Sequence, residues 1–241
     1  MTMSNHTIIL ATANAGKRRE FESLIADLLE PGWKLVDRLA WPCALAEPVE
    51  DADSFEGNAI IKAAQIARAT GCCALSDDSG LEVDALGARP GIHSARYAGP
   101  AASDADNNRL LIEELAGVDA SARGARYVAV VCLAIADNAV GRQLLARCGL
   151  DFDAVPAGQA DAEGKIVRHE ELAIVWFQGT VEGRIIDAPR GTGGFGYDPH
   201  FLVPSWNQTM AEVPLELKNT VSHRAVALAK LTHYFDPRAT R

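Results

Sequence analysis

A short apolar run, Cys72-Cys73-Ala74-Leu75, leads without a break into Ser76-Asp77-Asp78-Ser79-Gly80-Leu81. The run has the length and composition of a central strand. Two adjacent carboxylates at the end of such a strand repel each other, and each loses hydration as it is buried. The fold must compensate, either with a bound divalent cation or, if Asp77 is an N-cap or turn residue, with hydrogen-bond donors. An oxygen-only donor set with no His or Cys beside it suits Mg2+, which takes one or two protein carboxylates plus waters and substrate phosphates. The acidic loop Glu47, Glu50, Asp51 and Asp53 offers a further ligand if it folds over the strand end; a solvated acidic face is the alternative.

The rest of the chain alternates strand and helix patterns, which predicts an α/β fold. Thr7 to Ala11 is a buried strand, followed by the polar turn Thr12-Ala13-Asn14-Ala15-Gly16-Lys17 and a helix. That helix carries Phe21, Leu24, Ile25, Leu28 and Leu29 on one face and is stopped by Pro31-Gly32. Asp53 and Glu56 read as the cap and capping partner of a second helix ending at Gly71. Gly87 to Pro100 reads as an ordered loop, and a third helix follows Ser103 with Asp106 as its capping partner. Arg126 to Ile135 and Ile166 to Val181 have strand composition, whereas Asp137 to Lys165 shows no clear pattern. Ser222 caps a last helix with Ala225, Leu228, Leu231 and Phe235 on its apolar face.

The chain has 241 residues, 48% hydrophobic and 23% charged, the balance of a soluble globular protein. A chain of that length buries roughly 70% of its unfolded surface and needs no disulfide or structural metal. Its 32 acidic and 23 basic residues give a net charge of −9, which disfavours non-specific binding to nucleic acid or to an anionic membrane. Any polyanion must be met by a local cluster. The five cysteines form no Cys-x-x-Cys pair. No apolar run reaches 18 residues and no secretory signal is read at the start, so the expected location is cytoplasmic.

Three further groupings carry chemistry. Thr12 to Lys17 joins a strand to a helix N-terminus, where N–H groups, the helix dipole and a lysine favour a phosphate; an exposed, solvated turn is the other reading. It is not a Walker A loop, because Lys17 is followed by Arg18. Gly191-Thr192-Gly193-Gly194-Phe195-Gly196-Tyr197-Asp198-Pro199 has four glycines in six residues, which suits close backbone approach to a ligand. Phe195 and Tyr197 are either core residues or aromatics suited to stack on a nucleobase. His223-Arg224, in the first turn of the last helix, oppose its dipole and call for an acceptor; a surface pair without a role is the alternative.

Taken in order, these motifs resemble the inosine/xanthosine triphosphate pyrophosphatase family. The shared residues are Thr12-x-Asn14-x-x-Lys17, Phe55-x-x-Asn58-Ala59-x-x-Lys62-Ala63, Asp77-Asp78-Ser79-Gly80-Leu81, Pro90-Gly91 with Ser94-Ala95-Arg96-Tyr97, Gly194 to Pro199, and Lys218-x-x-x-Ser222-His223-Arg224. The resemblance implies one domain over residues 1–241, an elongated two-lobed α/β fold with a long twisted mixed sheet, flanking helices and a central substrate cleft. It implies a homodimer that hydrolyses ITP, dITP and XTP to the monophosphate and pyrophosphate with Mg2+, cleansing the nucleotide pool. Carried over by position, Thr12, Ala13, Asn14, Ala15, Gly16 and Lys17 hold the triphosphate, Asp78 is the general base, and Glu50 with Asp78 holds the metal, Glu47 being the alternative ligand. Ser79, Phe195, Gly196, Tyr197, Asp198, Lys218, His223 and Arg224 line the substrate site. The Gly141 to Lys165 segment is longer than the family pattern and inherits nothing. A non-hydrolysing nucleotide sensor or RNA-binding module is disfavoured by the paired aspartates, and an aspartyl-phosphate phosphatase by the lack of an Asp-x-Asp motif.

Overall fold

The computed structural model describes residues 6–25 and 33–238. Leu28, Leu29, Pro31 and Gly32, expected to finish and stop the first helix, lie outside the described residues. In chain order the elements are β1 (Thr7–Leu10), α1 (Ala15–Leu24), β2 (Lys34–Asp37), α2 (Phe55–Thr70), β3 (Cys73–Val83), α3 (Asp104–Glu114), β4 (Gly124–Ala136), α4 (Ala139–Arg147), β5 (Val167–His169), β6 (Leu172–Ile185), β7 (Phe201–Val203), β8 (Gln208–Thr209), α5 (Leu215–Val221) and α6 (His223–Tyr234). The strands form one mixed, twisted sheet in the order β2-β1-β3-β4-β6-β7-β8, with β5 paired to β6 and helices flanking it. β1 runs parallel to β2 and to β3, while β5, β6, β7 and β8 pair antiparallel in succession.

Two units divide the chain. The first comprises residues 1–78, 130–178 and 227–241; the second comprises 79–129 and 179–226. In the first, β1 and the start of β3 are buried on both faces, as are Ile66, Val130 to Ile135, Leu144 and Phe235. In the second, Leu81, Val83, Leu111, Leu115, Tyr127, Ile185, Tyr197 and Phe201 make one apolar cluster. No described helix is long and apolar enough to cross a membrane.

Local chemistry accounts for most boundaries, with instructive departures. The cap of α2 is Ser54, whose Oγ accepts from the Gly57 N–H, rather than Asp53. Ser54 has the extended backbone a cap requires, and Gly71 ends the helix in the left-handed region at φ 66°. Ser103 and Asp106 form the expected capping box. The stretch from Ile166 to Val181 is a hairpin rather than one strand, because Glu170, at φ 56°, turns β5 into β6. Within the featureless Asp137 to Lys165 stretch lies α4, capped by Asn138, which also donates to the Gly71 carbonyl at the end of α2.

The largest departure is β3. It does not end before the aspartates but continues through them to Val83, placing Asp77 and Asp78 in the middle of an 11-residue strand. The reason is that partners from two helices meet both carboxylates, so burial does not force the strand to stop. If Ser54 is the operative cap, Ser54→Ala lowers unfolding free energy by about 1 kcal/mol while Asp53→Ala changes it by a few tenths at most. Paired denaturant melts read the difference, and equal losses would return the cap to Asp53.

Candidate active site

In the first unit, the turn after β1 is built by two side chains. Thr12 Oγ1 accepts from the Asn14 N–H at 3.2 Å, and Asn14 Oδ1 accepts from the N–H groups of Gly16 (2.8 Å) and Lys17 (3.0 Å). Asn14 is thus the N-cap of α1, and an anion at this helix start competes with that cap for the two N–H groups. Ala13, Asn14 and Ala15 are exposed, so the turn is open to solvent. The lysine in the first helical turn is balanced from β3: Lys17 Nζ lies 3.1 Å from Asp77 Oδ2.

Asp78 has a second lysine. Lys62 Nζ, from α2, donates to Asp78 Oδ1 at 2.9 Å and to Glu50 Oε2 at 3.0 Å, so one buried ammonium joins the strand carboxylate to the acidic loop. Asn58, one turn earlier on the same helix, donates to Asp78 Oδ2 at 3.3 Å while its own oxygen accepts from the Ala52 N–H at 3.1 Å. This clamp holds the loop carrying Glu50 against the helix. Ser76 Oγ ties β3 to α2 through the Ala59 carbonyl at 2.6 Å. Glu47 is occupied elsewhere, paired with Arg38, and Asp77 with Lys17. The geometry therefore groups Glu50 with Asp78 on Lys62.

Burial is the largest influence on Lys62 and lowers its proton affinity, but the carboxylates of Asp78, Asp77 and Glu50 together outweigh it and the net shift is upward. For Asp78, burial raises the carboxyl above its ordinary range despite the opposing pull of Lys62 and Lys17, with Glu50 adding to the rise. A carboxylate with raised proton affinity is a better proton acceptor than an exposed one. Among the described residues no cluster of three or more His, Cys, Asp or Glu could by itself hold a metal ion. Two carboxylates already gathered around one positive charge still fit a hard cation that draws its remaining ligands from water and phosphate.

In the second unit, Asp198 is the organising group. Its Oδ2 accepts from Lys218 Nζ (2.7 Å) and the Phe195 N–H (3.0 Å), and its Oδ1 accepts from Tyr127 Oη (3.1 Å). Two of the glycines around it are required by the chain itself. A Cβ on Gly194, at φ 73°, would collide with the Asp198 carboxylate, and one on Gly191, at φ 80°, with the backbone of Ala211. Tyr197 is likewise a core residue, buried in the apolar cluster with its hydroxyl on the Ser94 carbonyl at 2.8 Å, so it offers no free face to a base. Phe195 is different. It is half-buried, with Lys218 Nζ 5.0 Å and Arg224 Cζ 5.4 Å from its ring centroid, inside cation–π range. The N–H of Gly196, the next residue, donates to Asp104 Oδ2 at 2.7 Å.

At the start of α6, Arg224 has the acceptor that the basic pair calls for. Ser222 Oγ caps the helix through the Ala225 N–H, Arg224 Nη2 donates to Ser79 Oγ at 2.7 Å, and the His223 ring stacks on Tyr127. Lys62, Asn58 and Tyr127 are site residues to which motif reading gave no role. The first two had a visible signal: they are polar at i and i+4 on the buried face of α2 that carries Phe55, Ala59, Ala63 and Ile66. Tyr127 had none, since an aromatic inside a strand reads as core.

Comparison with known proteins follows the same lines. The model of the Ham1 family matches residues 8–234. A dITP/XTP pyrophosphatase of Methylococcus capsulatus is 44% identical over 226 residues, 93% of each chain. One of Thermus thermophilus is 42% identical over 224 residues, covering 93% of this chain and 89% of that protein. Among solved structures, a HAM1 protein of Coxiella burnetii superposes with a TM-score of 0.70 at 34% identity, over 94% of this chain and 96% of its own. The Ham1 protein of Staphylococcus aureus gives 0.68 at 32% identity, over 95% and 97%.

Removing one member of a buried ion pair costs about 3–5 kcal/mol, because the other charge is left without compensation. Lys62→Met is therefore expected to lower stability at pH 7 by that order, and Asp78→Asn added to it to recover a large part. The pH dependence has a definite sign. Without the ammonium, the folded-state value of Asp78 rises further above the ordinary 3.8. A raised group adds stability that is fully present below the unfolded value and lost as pH rises through the folded one. The deficit of Lys62→Met against the unsubstituted protein should be smallest near pH 4 and grow toward pH 7. Thermal melts across that range test it, and a pH-independent deficit would contradict the buried-carboxylate account.

Proposed function

The chain belongs to the Ham1 family, and on that premise we propose that it is a nucleoside triphosphate pyrophosphatase acting on ITP, dITP and XTP. The observation that carries this reading is the group around Lys62, where a buried carboxylate of raised proton affinity is held beside a second carboxylate on one ammonium. A water attacks the α-phosphorus, the bond from that phosphorus to the bridging oxygen of the β-phosphate breaks, and pyrophosphate leaves. Asp78 accepts the water's proton. Lys17, in the turn Thr12 to Lys17, meets the phosphate oxygens with ammonium donors already held by Asp77, and Lys62 keeps Asp78 oriented. Mg2+ held by Glu50 and Asp78 would offset the charge on the phosphate oxygens.

The second unit recognises the purine. Phe195 offers a ring for stacking, and Lys218, His223 and Arg224 present N–H donors. Hypoxanthine and xanthine carry an acceptor oxygen at position 6, whereas adenine places a donor there. Each unpaired buried donor costs about 1–3 kcal/mol, so two give roughly 10²–10⁴-fold discrimination against ATP. Asp198 holds Lys218 and the Phe195 N–H in this surface. The proposed domain is the whole chain, residues 1–241, in which Asp78 is followed directly by Ser79, whose hydroxyl accepts from Arg224. A homodimer, on family resemblance, and a cytoplasmic location complete the proposal.

Two experiments test the proposal. Pyrophosphate release from dITP or ITP is expected with Mg2+ and not in a chelator, and Asp78→Asn is expected to lower kcat by roughly 10²–10⁴-fold with nucleotide binding largely retained. Orthophosphate as the product, or near-normal turnover in that variant, would remove the assignment. Separately, kcat/KM for ITP, dITP and XTP should far exceed that for ATP, and His223→Ala or Arg224→Ala should narrow the gap. Equal values for ITP and ATP in the unsubstituted protein would sink the base-reading role even with the chemistry intact.

A further inference from the structure

Tyr127, on β4, belongs to none of the sequence motifs, yet it touches the groups on which the proposed purine surface depends. Its hydroxyl donates to Asp198 Oδ1 at 3.1 Å, while Oδ2 of the same carboxylate takes Lys218 Nζ and the Phe195 N–H. Its ring lies against the His223 imidazole with centroids 4.9 Å apart and planes 13° from parallel. Phe201 backs the same ring at 4.4 Å.

We propose that Tyr127 is a positioning residue for base selectivity: its hydroxyl fixes the rotation of the Asp198 carboxylate, its ring fixes the plane of His223, and together they hold Lys218, Phe195 and His223 in one arrangement toward the purine. This rests on reading that constellation as the base-recognising surface.

An aspartate carboxylate turns about a broad, two-fold torsion. With the tyrosine hydroxyl in place, each oxygen has its own donors and one rotation is selected. Without it, Oδ1 loses its donor in a buried setting, and rotations in which both oxygens share Lys218 and the Phe195 N–H become competitive. Lys218 and the Phe195 backbone then shift with the carboxylate. Small displacements of this kind cost recognition steeply, because the donors no longer meet the base at hydrogen-bond distance. The stacked ring acts on a separate coordinate. The N–H bonds of imidazole lie in the ring plane, so the plane of Tyr127 sets the directions in which His223 can donate. Burial, reinforced by the neighbouring Asp198 charge, keeps the phenol protonated well past neutral pH, so the hydroxyl remains a donor under working conditions.

Tyr127→Phe keeps the ring and deletes the hydroxyl; Tyr127→Leu deletes both. The measurement is kcat and KM for ITP and for ATP in the full chain with Mg2+, alongside melting temperatures. Tyr127→Phe is expected to raise KM for ITP about 5–30-fold, leave kcat within about threefold, and lower the ITP-to-ATP ratio of kcat/KM by a similar 5–30-fold. Tyr127→Leu should narrow the ratio further. A residue that only packs the core would lower the melting temperature and reduce both substrates alike. Folded Tyr127→Phe with an unchanged ITP-to-ATP ratio overturns the inference, and this near-isosteric variant decides the matter even if Tyr127→Leu fails to fold. Absence of ITP preference in the unsubstituted protein would instead remove the base-recognition reading itself, and the inference with it, an outcome visible before any variant is made.

Discussion

The Lys62 ammonium is the fixed point of the first unit. Asp78 lies inside a strand that is otherwise apolar, and a bare carboxylate there would either take up a proton or break the strand. Lys62 opposes both outcomes by bringing its own charge to 2.9 Å. The same Nζ holds Glu50, so the contact that allows β3 to run through its aspartates also draws the acidic loop to the site. Asn58 repeats the connection with neutral groups, one amide face on Asp78 and the other on Ala52. The strand, helix and loop are therefore mutually dependent.

Much of this was legible in sequence, for a definite reason. Periodicity and caps are local, so β1, α3 and α6 with Ser103 and Ser222 could be placed from residue types alone. The Asp77-Asp78 pair stood out because its burial had no local remedy. What could not be read was the remedy itself: partners 12 to 20 residues away in sequence that become neighbours only through strand pairing and helix packing. The strand-end placement of the aspartates failed because apolar composition was taken to mark the strand, whereas backbone pairing continues wherever side chains are satisfied. Two glycines of the loop motif also have their partners far away in sequence or across the loop. Gly191 and Gly194 are needed for close approach, but the approaching atoms are those of Ala211 and Asp198.

The two units share one device. Lys17 with Asp77, Lys62 with Asp78 and Lys218 with Asp198 are each a lysine on a helix set against a carboxylate outside it. Stability does not account for them. A buried pair is often replaced by apolar residues of similar volume with no loss, or with a gain of about 1–4 kcal/mol, because desolvation cancels most of the attraction. A protein selected only for a firm core would carry leucine and methionine at these places. The value of a pair appears when an anion or an acceptor oxygen arrives, since an ammonium has three donors and the resident carboxylate need not occupy all of them. Its charge is already desolvated and aimed, so little reorganisation remains at the moment of binding. On this view the carboxylates of Asp77 and Asp198 act chiefly as holders that keep Lys17 and Lys218 in place between substrates. In the proposed reaction Asp78 has the additional task of accepting a proton, and burial raises its proton affinity.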